Sequence, residues 1–209
     1  MSPYIKICGI SKEEHIAKLI ERKTDAIGFV AYPPSPRYVT PEQVRELCKI
    51  IPANIARVLV VVNMNKEDIQ AYLDAGIDTL QFHGDENAEF AKSFTCDVWR
   101  AVRLKDEAQI ERELEFPCSK FVLDAAPKNA SLPGGTGELG DWKLSKAFVD
   151  RSTKPVLIAG GIKLENFAEA LNITEAQGLD LSSGVETSPG IKSSQKIDLF
   201  FNKLNKSNC

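Results

Sequence analysis

Arg57-Val58-Leu59-Val60-Val61-Val62 is a short β-rich apolar run, and the residues that follow it change period. Asn65 stands before Lys66-Glu67-Asp68 as an N-cap ahead of acidic residues, and Ile69, Tyr72 and Leu73 then recur on one helical face. Ala75-Gly76 closes that helix, and Ile77-Asp78 enters a second apolar run, Thr79-Leu80-Gln81-Phe82. Two strands joined through a helix lie parallel, because a hairpin cannot connect parallel neighbours.

The same alternation extends both ways. Tyr4 to Cys8 and Asp25 to Val30 read as strands upstream; Val98 to Val102, Lys120 to Asp124, Pro155 to Ala159 and Leu179 to Leu181 read as strands downstream. Ser11 with Glu14 reads as a capping box, and Thr40-Pro41 as an N-cap with proline in the first turn. Eight strand–helix units predict an α/β fold, a single closed (β/α)8 TIM barrel over residues 1–209 as one domain. An open doubly wound sheet would carry a dinucleotide fingerprint after its first strand, and Cys8-Gly9-Ile10-Ser11 is not one.

Composition narrows the function. The chain has 26 Lys plus Arg against 29 Asp plus Glu, a net charge of −3, with no basic cluster. Neither a nucleic-acid nor a membrane partner is expected, and any bound anion should be small. Strand character from Tyr4 onward and the lack of a long apolar run predict neither a targeting segment nor a membrane span. The five cysteines, Cys8, Cys48, Cys96, Cys118 and Cys209, are scattered without a C-x-x-C pair, and the chain has only two His. A disulfide framework and a metal site are therefore not expected, and a reducing, cytoplasmic location is.

In a barrel of this kind the chemistry sits at the carboxyl ends of the strands. That selects Cys8, Arg37, Asn63, His83 with Asp85, Arg100 or Arg103, Asp124, Gly160-Gly161, and Asp180 with Ser182-Ser183-Gly184. Alternation along the first strand turns Lys6 and Cys8 inward, where the ammonium would favour a thiolate able to act as base or nucleophile; the bland alternative is a small buried hydrophobe. The bland reading is kept for Cys48, Cys96 and Cys118, and Cys209 is expected to be idle. Asp124 and Asp180, each in or at the end of an apolar strand, are either functional or loop caps. Arg37, on a loop with Pro33, Pro34 and Pro36, is either a carboxylate or phosphate clamp or a surface ion pair. Gly134-Gly135-Thr136-Gly137, Gly160-Gly161 and Ser182-Ser183-Gly184 would each alone be a turn, but together they predict backbone amides converging on a phosphate.

These residues carry a family resemblance. Lys6-Ile7-Cys8-Gly9-Ile10, Ser35-Pro36-Arg37-Tyr38-Val39, Gln81-Phe82-His83-Gly84-Asp85-Glu86, Leu123-Asp124, Gly134-Gly135-Thr136-Gly137, Ala159-Gly160-Gly161 and Asp180-Leu181-Ser182-Ser183-Gly184-Val185-Glu186 resemble, in order and over nearly the whole chain, the N-(5'-phosphoribosyl)anthranilate isomerases. Phe82 and Gly140 depart from the family pattern at packing positions. The resemblance implies a cofactor-independent Amadori rearrangement in tryptophan biosynthesis, with a small-molecule substrate. It assigns Asp124 as general acid and Cys8 as general base. It gives Arg37 the substrate carboxylate, the glycine loops including Gly135, Gly160, Gly161, Ser182, Ser183 and Gly184 the phosphate, and Asp180 and His83 substrate contacts. The histidine-pathway Amadori isomerase uses two carboxylates, so Cys8 speaks against it. Indole-3-glycerol-phosphate synthase needs a lysine acid, and a non-catalytic phosphate-binding barrel would bind without turnover. Monomer and homodimer both stay open, and the loop from Ala125 to Gly140 is a candidate lid.

Overall fold

The computed structural model describes residues 2–124 and 142–207. Eight parallel strands close into a barrel: β1 (Tyr4–Cys8), β2 (Ala26–Val30), β3 (Ala56–Val61), β4 (Thr79–Phe82), β5 (Asp97–Val102), β6 (Lys120–Leu123), β7 (Val156–Ile158) and β8 (Gly178–Leu181), in sequence order, with β8 returning to β1. The helices between them are α1 (Glu13–Glu21), α2 (Pro41–Cys48), α3 (Lys66–Leu73), α4 (Ala88–Lys92), α5 (Ile110–Leu114), α6 (Trp142–Arg151), α7 (Phe167–Thr174) and α8 (Ser194–Ser207). Among the described residues no helix is long and apolar enough to cross a membrane.

Local chemistry explains most boundaries. The Thr40 side chain accepts from the Gln43 N–H while the Gln43 side chain accepts from the Thr40 N–H, and Pro41 opens α2. Asn65 caps α3 through the Asp68 N–H at 2.8 Å. The capping box expected at Ser11 does not form. Helix α1 begins one residue later, with Lys12 at its N-cap and no side-chain bond, because the Ser11 hydroxyl instead donates to the Gly190 carbonyl at 3.5 Å. Gly190 belongs to a small antiparallel ribbon that the strand pattern did not predict, β9 (Glu186–Ser188) with β10 (Ile191–Lys192). Its strands are too short to show a period, and Gly190, at φ +85°, makes the turn.

The core has two layers. Outside the barrel, Ile5, Ile7, Phe29, Leu59, Leu80, Phe121 and Leu179 are fully or almost fully buried against the helices. Edge-to-face pairs such as Phe121 with Phe148 at 5.1 Å and Phe167 with Phe200 at 4.9 Å fill that layer. Inside, Ala26, Val58, Trp99, Val122, Leu157 and Ala159 make a separate apolar plug. Trp99 is its largest member, packed against Tyr4 with ring centroids 6.0 Å apart and tied by its N–H to Asp97 at 2.8 Å. Functional groups are thereby confined to the upper half of the barrel, above the plug.

Closure depends on a close approach of two backbones. Gly178 pairs with Tyr4, and a Cβ on Gly178 would collide with the Tyr4 carbonyl oxygen and lie 2.9 Å from the Tyr4 Cβ. Gly178→Ala is expected to destabilise the fold by about 1–3 kcal/mol, the usual range for overpacking. A denaturant midpoint equal to that of the unmodified protein would show that the seam can widen without penalty.

Candidate active site

The site is built on one face of each strand. Strand β1 turns Lys6 and Cys8 inward as expected, and both are buried. The Lys6 ammonium bonds Asp180 of β8 at 2.7 Å and also reaches the Cys8 sulfur. Burial pulls the ammonium down, but Asp180 and Cys8 outweigh it, and Lys6 is held above its ordinary range. Its effect on Cys8 is smaller than the sequence suggested. Burial raises the thiol, Lys6 and Lys192 oppose that only in part, and Cys8 titrates above an ordinary cysteine. Lys6 does favour the thiolate, as read from the sequence, but burial, aided by the Asp180 charge, outweighs it. Cys48 and Cys118 keep the bland reading, each pushed up to about 11 by burial.

Asp124 follows β6 and points into the same pocket. Its Oδ2 lies 3.1 Å from His83 Nε2 and 3.6 Å from Arg103 Nε. His83 is therefore engaged with the carboxylate as well as lining the pocket. Of the two arginines after Trp99, Arg103 is the one beside Asp124. Arg100 turns away, donating to the Gly84 carbonyl at 3.0 Å and lying over the Phe116 ring. The His83 loop is fastened by Glu86, whose carboxylate accepts from the Asn63 and Gly84 N–H groups at 2.7 and 2.9 Å, while Asn63 accepts from Asp85 at 2.7 Å. Gly84 has no room for a side chain, since a Cβ would stand 2.9 Å from the Asn63 nitrogen. Asn63 and Asp85 are thus struts of this loop. Glu86, which holds Asn63 and Gly84, was part of the quoted motif but carried no signal of that role.

Arg37 is held from two sides. Its stem lies over Gly9, where an added Cβ would sit 2.5 Å from Arg37 Cδ, so Gly9 is required there for space as well as for its φ of +78°. Its guanidinium binds Glu186 through Nε at 2.8 Å and Nη2 at 2.7 Å. This is a largely buried pair, neither a free clamp nor the surface ion pair that was the alternative, and Arg37 still lines the pocket. Lys192 shares the same carboxylate, at 2.7 Å, and bonds the Ser182 carbonyl and hydroxyl at 3.1 and 3.2 Å. Burial would push Glu186 up, but Arg37 and Lys192 hold it below the ordinary carboxylate range. One carboxylate between two cations leaves a local excess of positive charge beside Cys8. Neither Glu186 nor Lys192 was read as part of the site, since nothing in the ribbon's sequence places Lys192 beneath it.

The loops after β7 and β8 meet at the same pocket, lined by Gly160, Gly161, Ser182 and Ser183. Gly160 and Gly161 both take positive φ, +69° and +71°, and Ser183 to Val185 form a 3₁₀ turn packed so tightly on Ile162 that Gly184 could carry no side chain. Asn166 stiffens the first loop by donating to the Gly161 carbonyl at 2.9 Å and accepting from Lys163 at 2.8 Å. Ser182 ties the second to β1 by donating to the Cys8 carbonyl at 3.1 Å. Gly135, with the rest of the segment from Ala125 to Gly140 read as a lid, lies outside the described residues.

Together Cys8, Arg37, Gln81, His83, Asp124, Gly160, Gly161, Asp180, Ser182 and Ser183 line an open pocket of about 790 Å³ including its mouth, within the range of small-molecule sites. Among the described residues no group of three His, Cys, Asp or Glu is arranged to hold a metal ion. The pocket offers a thiol, a carboxyl paired with imidazole, and cationic and amide groups for anions, a set suited to moving protons on an anionic substrate.

The chain is similar to known proteins. An N-(5'-phosphoribosyl)anthranilate isomerase from Nitrosomonas europaea is 35% identical over 171 residues, covering 81% of this chain and 80% of the relative. A solved structure of the monomeric form of a dimeric phosphoribosylanthranilate isomerase from Thermotoga maritima superposes with TM-score 0.85 at 31% identity, over 99% of this chain and 100% of that one. A second, solved with reduced 1-(o-carboxyphenylamino)-1-deoxyribulose 5-phosphate bound, gives TM-score 0.84 at 30% identity, again over 99% and 100%. The family defined as N-(5'-phosphoribosyl)anthranilate (PRA) isomerase matches residues 5–203, and the chain belongs to that family.

Proposed function

We propose that the chain rearranges N-(5'-phosphoribosyl)anthranilate to 1-(2-carboxyphenylamino)-1-deoxyribulose 5-phosphate, in tryptophan biosynthesis, with Asp124 as general acid and Cys8 as general base. The observation that carries the reading is that these two groups, from β1 and the end of β6, line one pocket whose rim supplies anion-binding groups. The ring oxygen of the ribose takes a proton from Asp124, the bond from C1' to that oxygen breaks, and an iminium forms. Cys8 removes the C2' proton, giving an enolamine that tautomerises to the ketone. Every proton removed is returned, so the reaction is an isomerisation and needs no redox partner. The contact with His83 puts an imidazole nitrogen within hydrogen-bond reach of Asp124, a route by which its proton can be replaced.

Substrate charge would be met locally. The amides of Gly160, Gly161, Ser183 and Gly184 would take the phosphate, and Gly135 would join them by the family resemblance. Arg37, kept in place by Glu186, would present its remaining N–H groups to the anthranilate carboxylate. Asp180, fixed by Lys6, would orient the amine or ribose. Four unpaired cysteines among the described residues suit a reducing cytoplasm. Both monomer and homodimer are compatible with this site, which draws its groups from a single chain.

Loss of the anthranilate fluorescence of the substrate measures turnover. Cys8→Ala and Asp124→Asn are each expected to lower kcat by about a hundredfold or more while circular dichroism stays unchanged. A folded Cys8→Ala protein with near-normal turnover would remove Cys8 from the mechanism. Cys8 works deprotonated and its thiol is raised by burial, so the residual kcat/KM of Asp124→Asn, which has no acid left to ionise, should climb steadily from about pH 6 to about pH 9. A profile already level near neutrality would indicate a base of lower pKa. Arg37→Ala should act mainly on binding, raising KM by about tenfold or more with a smaller change in kcat, and an unchanged KM would end its role as the carboxylate clamp.

A further inference from the structure

Gln81 is 1% exposed and lies on the inner face of β4, since its neighbours Leu80 and Phe82 belong to the outer core. Its ladder partners are Val60 on β3 and Trp99 on β5, which places it on top of the apolar plug. The side chain lines the pocket, and no described residue donates to its buried Oε1. A buried amide oxygen without a partner is unfavourable in a resting fold, and a hydrophobic residue of similar shape would be easier to accommodate. Asp180 Oδ1 is also without a partner among the described residues, but it belongs to a carboxylate held by Lys6. With Cys8 and Asp124 given the transferred protons, Arg37 the carboxylate and the glycine loops the phosphate, the ribose hydroxyls remain, and of these only the oxygen on C2' changes state, a hydroxyl in the substrate and a ketone in the product.

We propose that the Gln81 amide is the ligand of this C2' oxygen. An amide suits the change of state at that atom. Its carbonyl accepts from the hydroxyl at the start of the reaction, and its NH2 donates to the ketone at the end. Asp180 as a carboxylate would only accept, and Arg37 and Lys192 only donate. Gln81 is then a binding residue beside the carbon that Cys8 deprotonates, and its unfavourable burial in the free protein is relieved when substrate arrives.

The inference rests on the isomerase reading of the site, and its test separates the two. Turnover of N-(5'-phosphoribosyl)anthranilate by the unmodified protein is measured first; its absence would overturn the isomerase reading, and this inference with it. With turnover established, Gln81→Met, and Gln81→Leu as a second variant, are compared with the unmodified protein in three measurements. These are kcat/KM, the thermal midpoint, and inhibition by reduced 1-(o-carboxyphenylamino)-1-deoxyribulose 5-phosphate and by the same compound lacking the C2 hydroxyl. The expected result is a fall of about tenfold or more in kcat/KM with a thermal midpoint unchanged or raised. The reduced compound should bind about tenfold more weakly to the variants, and the deoxy compound equally well to all three proteins. Equal weakening of both inhibitors, or a lowered midpoint with unchanged kcat/KM and inhibition, would overturn the assignment and leave Gln81 a structural residue.

Discussion

The barrel closes where β8 meets β1, and the pair that crosses this seam on the inside is Lys6 with Asp180. Both side chains are buried, so each would be strongly destabilising alone; breaking a buried pair by removing one partner typically costs about 3–5 kcal/mol. Their ladder positions are directly opposite, which fixes the register of the last strand on the first. The consequences reach outward from there. Cys8 follows Lys6 by one inward position, Ser182 follows Asp180 by two residues, and Ser182 donates back to the Cys8 carbonyl. Cys8 and the loop after β8 therefore hang on the same seam.

Above the seam, charge is organised by sharing. Glu186 serves Arg37 and Lys192 at once, and Lys192 also holds Ser182, so the ribbon β9–β10 connects the loop after β2 to the loop after β8. A chain with a net charge of −3 has no general attraction for an anionic substrate. What it has is an arrangement in which two cations face one buried carboxylate, leaving about one positive charge beside Cys8. Because these groups are partly or wholly screened from water, that excess acts at short range and is less weakened by salt than a surface patch would be.

The sequence made the strands legible because each one alternates or runs apolar for four to six residues between clear stops, as Arg57 to Val62 does. Site residues were legible where strand geometry alone places them, as for Cys8, Asp124, Gly160 and Gly161. Partner choice was not legible. Lys6 could be placed beside Cys8 from period two, yet its stronger partner, Asp180, lies 174 residues away and is fixed only by barrel closure. The same holds for Arg37 with Glu186, 149 residues apart, and for the ribbon that carries Lys192. Ser11 shows the reverse case, a local capping signal overridden because its hydroxyl is taken by a residue from that ribbon.

Burial raises the Cys8 thiol, which suits the base role proposed for it. A lysine free to neutralise the sulfur would give an abundant thiolate, but a weak base, since basicity falls with pKa. Burial outweighs Lys6, whose charge is shared with Asp180, so the thiol stays mostly protonated in the empty site while its thiolate, once formed, binds a proton more strongly. In the proposed rearrangement that strength serves the C2' hydrogen, which becomes acidic only after the adjacent iminium has formed. The Lys6–Asp180 pair at the seam thus bears both on the register of β8 and on the proton affinity of Cys8.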